Sequence, residues 1–333
     1  MAPVRPRMPR IPWPSYTLQR LPGLTQRRCY AKANDIEGML NEKSSWESLD
    51  PSIRKLAVFA EHARAHNYQI PILSKTQHGK FDQARAYRVA AAIRQLREMN
   101  GDVVCGRKLG FTNKQIWPEY GVDESNWSYV YENTVIDLPG KDQLSEGKVV
   151  LADISHLSAV EPKIEPEIIF GLKEKIDASM NDLEILECVD WIAHGFEIVV
   201  SIFPHWRFTA ADATAAFALH GLLLVGPRKW LPKEGPPSEQ LVESLKNFTV
   251  ELHQNGEKVD TGSGANVLGS PINALRHLAE MLAKDEVNKP LEAGEVVTTG
   301  TLTRALTINN NDHWSTKIEG IDLPGLDVSF KVQ

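Results

Sequence analysis

The stretch KIEPEIIFGL, Lys163 to Leu172, decides how this chain is read. It has the apolar character of a buried strand, yet Glu165 and Glu167 interrupt it two residues apart. Side chains alternate faces along a strand, so Ile164, Pro166, Ile168 and Phe170 share one face and both glutamates share the other. Two ionised carboxylates about 7 Å apart on one face repel each other unless a cation lies between them. Hard divalent cations are bound by oxygen ligands of this kind. A Glu-x-Glu pair is most often a solvated face, because glutamate is rarely buried unpaired. Here the apolar flanks weaken that reading. Glu197, alone in the apolar run GFEIVV, is the candidate for a third carboxylate from another strand.

Outward from this strand the periodicity sorts the chain into a helical first part and a β-rich remainder. Asp50 and Pro51 open a helix whose stripe is Ile53, Leu56, Ala57, Ala60 and Ala63. A second helix covers 82–99 and ends at Gly101. Beyond it DVVCGRKLGFT reads as a strand with Val104, Gly106, Lys108 and Gly110 on one face. Residues 194–202 form another strand, and 249–263 a hairpin turning at Asn255-Gly256. Ser270 and Pro271 cap a further helix with Ile272, Leu275, Leu278, Ala279 and Leu282 buried. Strands return at 295–303 and 326–332, and the proline- and glycine-rich segment 226–237 is a surface loop. The class is α+β. Lys108 stands out between two glycines that permit close backbone approach to a ligand, although a strand-edge lysine commonly only snorkels to solvent.

Composition excludes several functions. No apolar run reaches the 18–20 residues needed to span a bilayer. The three cysteines, Cys29, Cys105 and Cys188, offer neither a disulfide framework nor a metal pair. The histidines His194, His205 and His220 lack metal-ligand spacing and read as surface or core fillers. Residues 1–30 hold six arginines and no acidic residue, leaving 31 basic against 43 acidic residues in the rest. Such a segment on an acidic body reads as a mitochondrial transit peptide, with cleavage in RRCYAKA giving Ala31 as the mature terminus and the matrix as the location. An acidic body is a poor partner for phosphate backbones, so no nucleic acid is expected, and no membrane.

The lysine strand with its following loop, GRKLGFTNKQIWPEYGVDESNW, resembles one branch of the fumarylacetoacetate hydrolase superfamily. IEPEIIF, FEIVVS, GSGANVLGSPINALRHLA and TTGTLTRALTINNND carry the resemblance through the rest of the chain, in order and spacing. The branch is that of 2-oxopent-4-enoate hydratases and 4-oxalocrotonate decarboxylases. The resemblance implies a mixed β-roll with an N-terminal helical layer. With the transit peptide 1–30 read from composition, the chain divides further into a helical region 31–100 and a catalytic domain 101–333. The resemblance also implies Mg²⁺ (or Mn²⁺) on Glu165, Glu167 and Glu197, and a small 2-oxo acid processed through a metal-held enolate. Lys108 would carry the proton, its pKa depressed by cation and apolar walls, helped by Asp123 and Asn126. Gly300, Thr303 and Asp212 would contact substrate, and the protein would be a homo-oligomer. Asn126 stands where the family usually carries an aspartate; asparagine orients a water but cannot accept its proton. Val200-Ser201-Ile202 and the AFAL segment 216–219 also replace polar family segments. The expected activity is therefore hydration or decarboxylation. The alternatives are an oxaloacetate tautomerase or decarboxylase, or a degenerate paralogue serving as a structural subunit.

Overall fold

The computed structural model describes residues 45–76, 81–140, 149–232 and 238–333. The basic segment 1–30 and the cleavage point at Ala31 lie outside them.

Helix α1 (Pro51–Ala65) starts as expected: the Asp50 carboxylate accepts the Ser52 N–H, and Pro51 occupies the first turn. A short α2 (Leu73–Thr76) leads to α3 (Gln83–Met99), capped by Asp82. The stripes of α1 and α3 enter one core with Phe196, Ile198 and Phe203 of the β body. The helical layer and the strands are thus packed together rather than side by side.

In chain order follow β1 (Val104–Gly110), α4 (Trp117–Tyr120), β2 (Asn126–Tyr131), β3 (Val135–Asp137), β4 (Val150–Asp153) and β5 (Lys163–Leu172). Next come α5 (Asp182–Glu187), β6 (Val189–Val199), α6 (Ala210–Ala215), β7 (His220–Val225), β8 (Lys229–Trp230) and α7 (Glu239–Asn247). The chain ends with β9 (Thr249–Gln254), β10 (Glu257–Ser263), α8 (Pro271–Ala283), β11 (Val296–Thr298), β12 (Leu306–Thr307), β13 (His313–Glu319) and β14 (Asp327–Lys331). The larger sheet runs β2-β1-β11-β5-β6-β7-β3, with β12 on β5 and β8 on β6. The smaller runs β10-β9-β13-β14-β4.

The hairpin β9–β10 turns at Asn255 and Gly256, both left-handed, as a type I′ turn requires. In α8 the Ser270 hydroxyl accepts the Ile272 N–H, and all five expected stripe residues are buried. Each of the larger ones contributes on the order of 2 kcal/mol by leaving water.

Some boundaries differ from expectation. The strand expected at 194–202 spans Val189–Val199, and the one expected at 295–303 stops at Thr298. The chain then turns through Gly300, at φ 99°, and continues as a loop. The loop expected at 226–237 contains β8, while 233–237 lies outside the described residues. Strands β2 and β7 gave no alternating signal because every residue of both is buried.

Candidate metal centre

Strands β5 and β6 pair antiparallel with Glu165 directly opposite Glu197, and Glu167 lies two residues further along the same face of β5. One carboxylate oxygen from each of the three lies within 4.8 Å of the others. Glu167 and Glu197 are fully buried and Glu165 is 9% exposed. Lys108 enters from β1, which is separated from β6 by β11 and β5. In a flat sheet strands stand about 4.8 Å apart, so three steps would place it out of reach. The sheet curls, and Lys108 Nζ comes 2.9 Å from Glu197 Oε2.

Two of the three carboxylates are aimed by their neighbours. The Thr298 hydroxyl donates to Glu167 Oε2 at 2.5 Å, and the Gly300 N–H donates to the same oxygen at 2.8 Å. That leaves Glu167 Oε1 buried without a hydrogen-bond partner. The other oxygen of Glu197, Oε1, lies 2.7 Å from His220 Nδ1, and His220 Nε2 lies 2.9 Å from Thr134 Oγ1. His220 is therefore no core filler. It orients Glu197, and it escaped the sequence because it lies on β7, the strand beside β6, rather than at a metal-ligand spacing.

Electrostatics describe a site short of positive charge. Burial raises Glu165 to about 7, with Lys108 opposing and Glu197 adding to the rise. Burial and then the Glu197 charge push Glu167 well above the usual carboxylate range. Burial would raise Glu197 as well, but the Lys108 ammonium and His220 outweigh it and hold Glu197 at about 2. Lys108 feels burial and its carboxylate neighbours in opposite directions. Burial pulls its ammonium down, yet Glu197, Glu165 and Glu167 together outweigh burial and raise it. With all three carboxylates ionised against one ammonium, the remaining charge is one that a divalent cation would neutralise. Hard cations take oxygens at about 2.0–2.6 Å, so one ion reaches all three groups. The unpartnered Glu167 oxygen and the all-oxygen donor set fit such an ion.

The other expected site residues divide. Asn126 is fully buried; its amide donates to Thr214 Oγ1 at 3.1 Å, while its Oδ1 has no partner. A Cβ built on Gly110 would stand 2.5 Å from that oxygen and 3.6 Å from Lys108 Nζ, so both atoms border one small space. Gly300 holds Glu167 and lines the pocket. Asp123 is not with Lys108. Left-handed Gly121 ends α4, and the loop carries Asp123, exposed, to a separate open groove bordered by Lys114, Trp117 and Arg276. Asp212 is not a free ligand group either. Its carboxylate accepts the Ser74 N–H and hydroxyl and the Thr209 N–H and hydroxyl, capping α6 and tying α2 to it. Thr303 is buried with its hydroxyl on Arg304 O, and Thr301 lines the pocket in its place.

The pocket has a polar floor of Lys108, Glu165, Gly300 and Thr301. Phe111, Ile116, Val199 and Leu219 give apolar walls, and half-buried Tyr120 and Trp206 border it. Of the AFAL segment, Ala218 and Leu219 line the pocket. Phe217 instead packs in the core below the Arg64 guanidinium, 5.1 Å from its ring centroid. Phe217, Ala218 and Leu219 are three consecutive left-handed residues, a conformation that costs L-residues about 1–2 kcal/mol each.

Residues 141–323, more than half of the chain, match the family described as fumarylacetoacetate (FAA) hydrolase, C-terminal. The chain belongs to the fumarylacetoacetate hydrolase family. Among its curated relatives, a 2-keto-4-pentenoate hydratase of Paraburkholderia xenovorans is 30% identical over 237 residues, covering 71% of this chain and 80% of the relative. A 4-oxalocrotonate decarboxylase of a Pseudomonas species is 27% identical over 256 residues, covering 76% and 85%. In structure this family member is similar to the 4-oxalocrotonate decarboxylase of Pseudomonas putida complexed with magnesium and adipate. The TM-score is 0.70 at 23% identity over 85% of this chain and 99% of that one, which shows the shared fold.

Proposed function

We propose that this chain is a metal-dependent lyase acting on a small 2-oxo acid by way of its enol, as the hydratases and decarboxylases it resembles are named. The observation that carries the reading is the convergence of Glu165, Glu167 and Glu197 within 4.8 Å, with Lys108 Nζ 2.9 Å from Glu197. The three glutamates would hold Mg²⁺ or Mn²⁺, and such an ion, when bound, supplies Lewis acidity toward the C1 carboxylate and C2 oxygen. Lys108 Nζ, 2.9 Å from Glu197 Oε2, would hold the proton that passes to the substrate carbon. Phe111, Ile116, Val199 and Leu219 exclude water from the carbon tail.

Asn126 favours reactions that need no activated water. Its Oδ1 orients a hydroxyl or water but takes no proton. Decarboxylation, or keto–enol exchange of an acid such as oxaloacetate, adds no water to the substrate. The basic, acid-free segment 1–30 supports placing the protein in the mitochondrial matrix, and the family resemblance supports a homo-oligomer.

Purified protein with Mg²⁺ tests the reading. It is given 2-hydroxypenta-2,4-dienoate, 4-oxalocrotonate and the enol of oxaloacetate, each followed by ultraviolet absorbance. Turnover of at least one, abolished in Glu167→Gln, is expected. Failure on all three sinks the enzymatic reading and leaves the structural-subunit alternative.

A further inference from the structure

Lys163 opens β5 and lies on the same strand face as Glu165 and Glu167. Exposure falls along that face, from half-buried Lys163 to Glu165 at 9% and Glu167 at 0%. Same-face neighbours on a strand stand about 7 Å apart, so the face runs from half-buried Lys163 through Glu165, which lines the pocket, to fully buried Glu167. Across from Lys163 on β6 is Val199, which lines the pocket.

The Lys163 ammonium is held against two rings that border the pocket. Its Nζ stands 4.2 Å from the Trp206 ring centroid and 5.3 Å from that of Tyr120, and it donates to the Tyr120 hydroxyl at 3.1 Å. Both rings line the pocket. Among the described residues no carboxylate comes within ion-pair distance of Lys163, although Glu119, Glu165 and Glu161 act on it from further off, whereas Lys108 is committed to Glu197. An ammonium seated on aromatic faces gives up part of its hydration, and here has N–H donors to spare.

We propose that Lys163 is a specificity-determining residue that binds the far carboxylate of a 2-oxo dicarboxylic acid. This deepens the 2-oxo-acid reading of the site and rests on it. A 2-oxo acid whose first carboxylate and 2-oxo group lie at the glutamate floor directs its tail along the β5 face. In a chain of four to six carbons the tail is comparable to the two-residue step from Glu165 to Lys163. The floor is neutral once three carboxylates face Lys108 and a divalent ion. A second substrate carboxylate therefore needs a cation of its own, and Lys163 is placed to supply it. An uncharged tail gains nothing from that ammonium.

The test is calorimetric titration of the full chain, with Mg²⁺, by 2-oxoadipate and by 2-oxohexanoate, which differ only in a terminal carboxylate against a methyl group. Wild-type protein should bind 2-oxoadipate more tightly by on the order of tenfold, the contribution of one hydrogen bond to a charged group. Lys163→Met should erase that preference while leaving 2-oxohexanoate binding unchanged, and Lys163→Arg should keep most of it. Equal binding of the two acids by wild type, or a preference that survives Lys163→Met, overturns the role of Lys163 and leaves the 2-oxo-acid reading standing. Binding of neither acid with Mg²⁺ overturns both.

Discussion

Glu197 has a partner on each oxygen, Lys108 on one and His220 on the other. A buried carboxylate so placed stays ionised, while the less supported Glu165 and Glu167 resist ionisation in the same space. His220 is thus a positioning residue, acting on a bound ion through Glu197. Groups behind metal ligands are worth about 10–100-fold in metal affinity. His220→Phe should weaken Mn²⁺ binding by that factor in a titration followed by electron paramagnetic resonance. Unchanged affinity would show that Glu197 needs no such support. Asp212 illustrates the opposite assignment. A carboxylate already accepting four hydrogen bonds from Ser74 and Thr209 has little left to offer a substrate, and its work is to fix the start of α6.

At the scale of elements, the short β11 and the turn after it join the lysine strand to the glutamate strand. β11 pairs parallel with β1 at Lys108↔Thr298 and antiparallel with β5 at Thr298↔Ile169. The same Thr298 holds Glu167, and the turn then presents the Gly300 N–H to that carboxylate. Gly300 has φ 99°, and a Cβ there would lie 1.8 Å from Thr112 Oγ1. Gly300→Ala therefore moves the turn and withdraws a donor from Glu167. The expected outcome is a folded protein, its thermal midpoint lowered by a few degrees, with metal affinity reduced about tenfold or more. A variant that keeps wild-type metal affinity would show that Thr298 alone positions the carboxylate. By sequence pattern this region reads as one strand, 295–303. TTGTLT satisfies β propensity locally, but the close approach of Thr112 that forces the turn is a long-range contact with no local trace.

At the scale of the molecule, the two sheets are joined by His194. It lies on β6, its Nδ1 3.0 Å from Glu167 O and its Nε2 3.0 Å from Thr316 Oγ1 on β13 of the smaller sheet. The Glu167 carbonyl can only accept, so the neutral imidazole donates from Nδ1 and its Nε2 accepts the Thr316 hydroxyl proton, while Thr316 Oγ1 itself accepts the Leu326 N–H. Burial holds His194 down at about 4. The unfolded chain takes up this proton near pH 6.5, so between about 4 and 6.5 the unfolded state binds more protons and stability rises with pH. The contribution is complete above about pH 6.5 and lost as pH falls through 4, about 3 kcal/mol in all. Thermal midpoints from pH 7 to 4 should therefore fall more steeply in wild type than in His194→Gln, and parallel curves would remove His194 from the acid response. The sequence alone determined the helical layer, the β-rich body, the hairpin turn, the helix caps and the three acidic candidates. Those follow from periodicity, turn chemistry and the cost of placing carboxylates in apolar strands, all of them local. Only the tertiary structure decided that Lys108 meets Glu197, that His220 stands behind it, and that Asp123 and Asp212 belong elsewhere. The curl of the sheet and the course of its loops set those meetings, and both depend on packing between segments far apart in the chain.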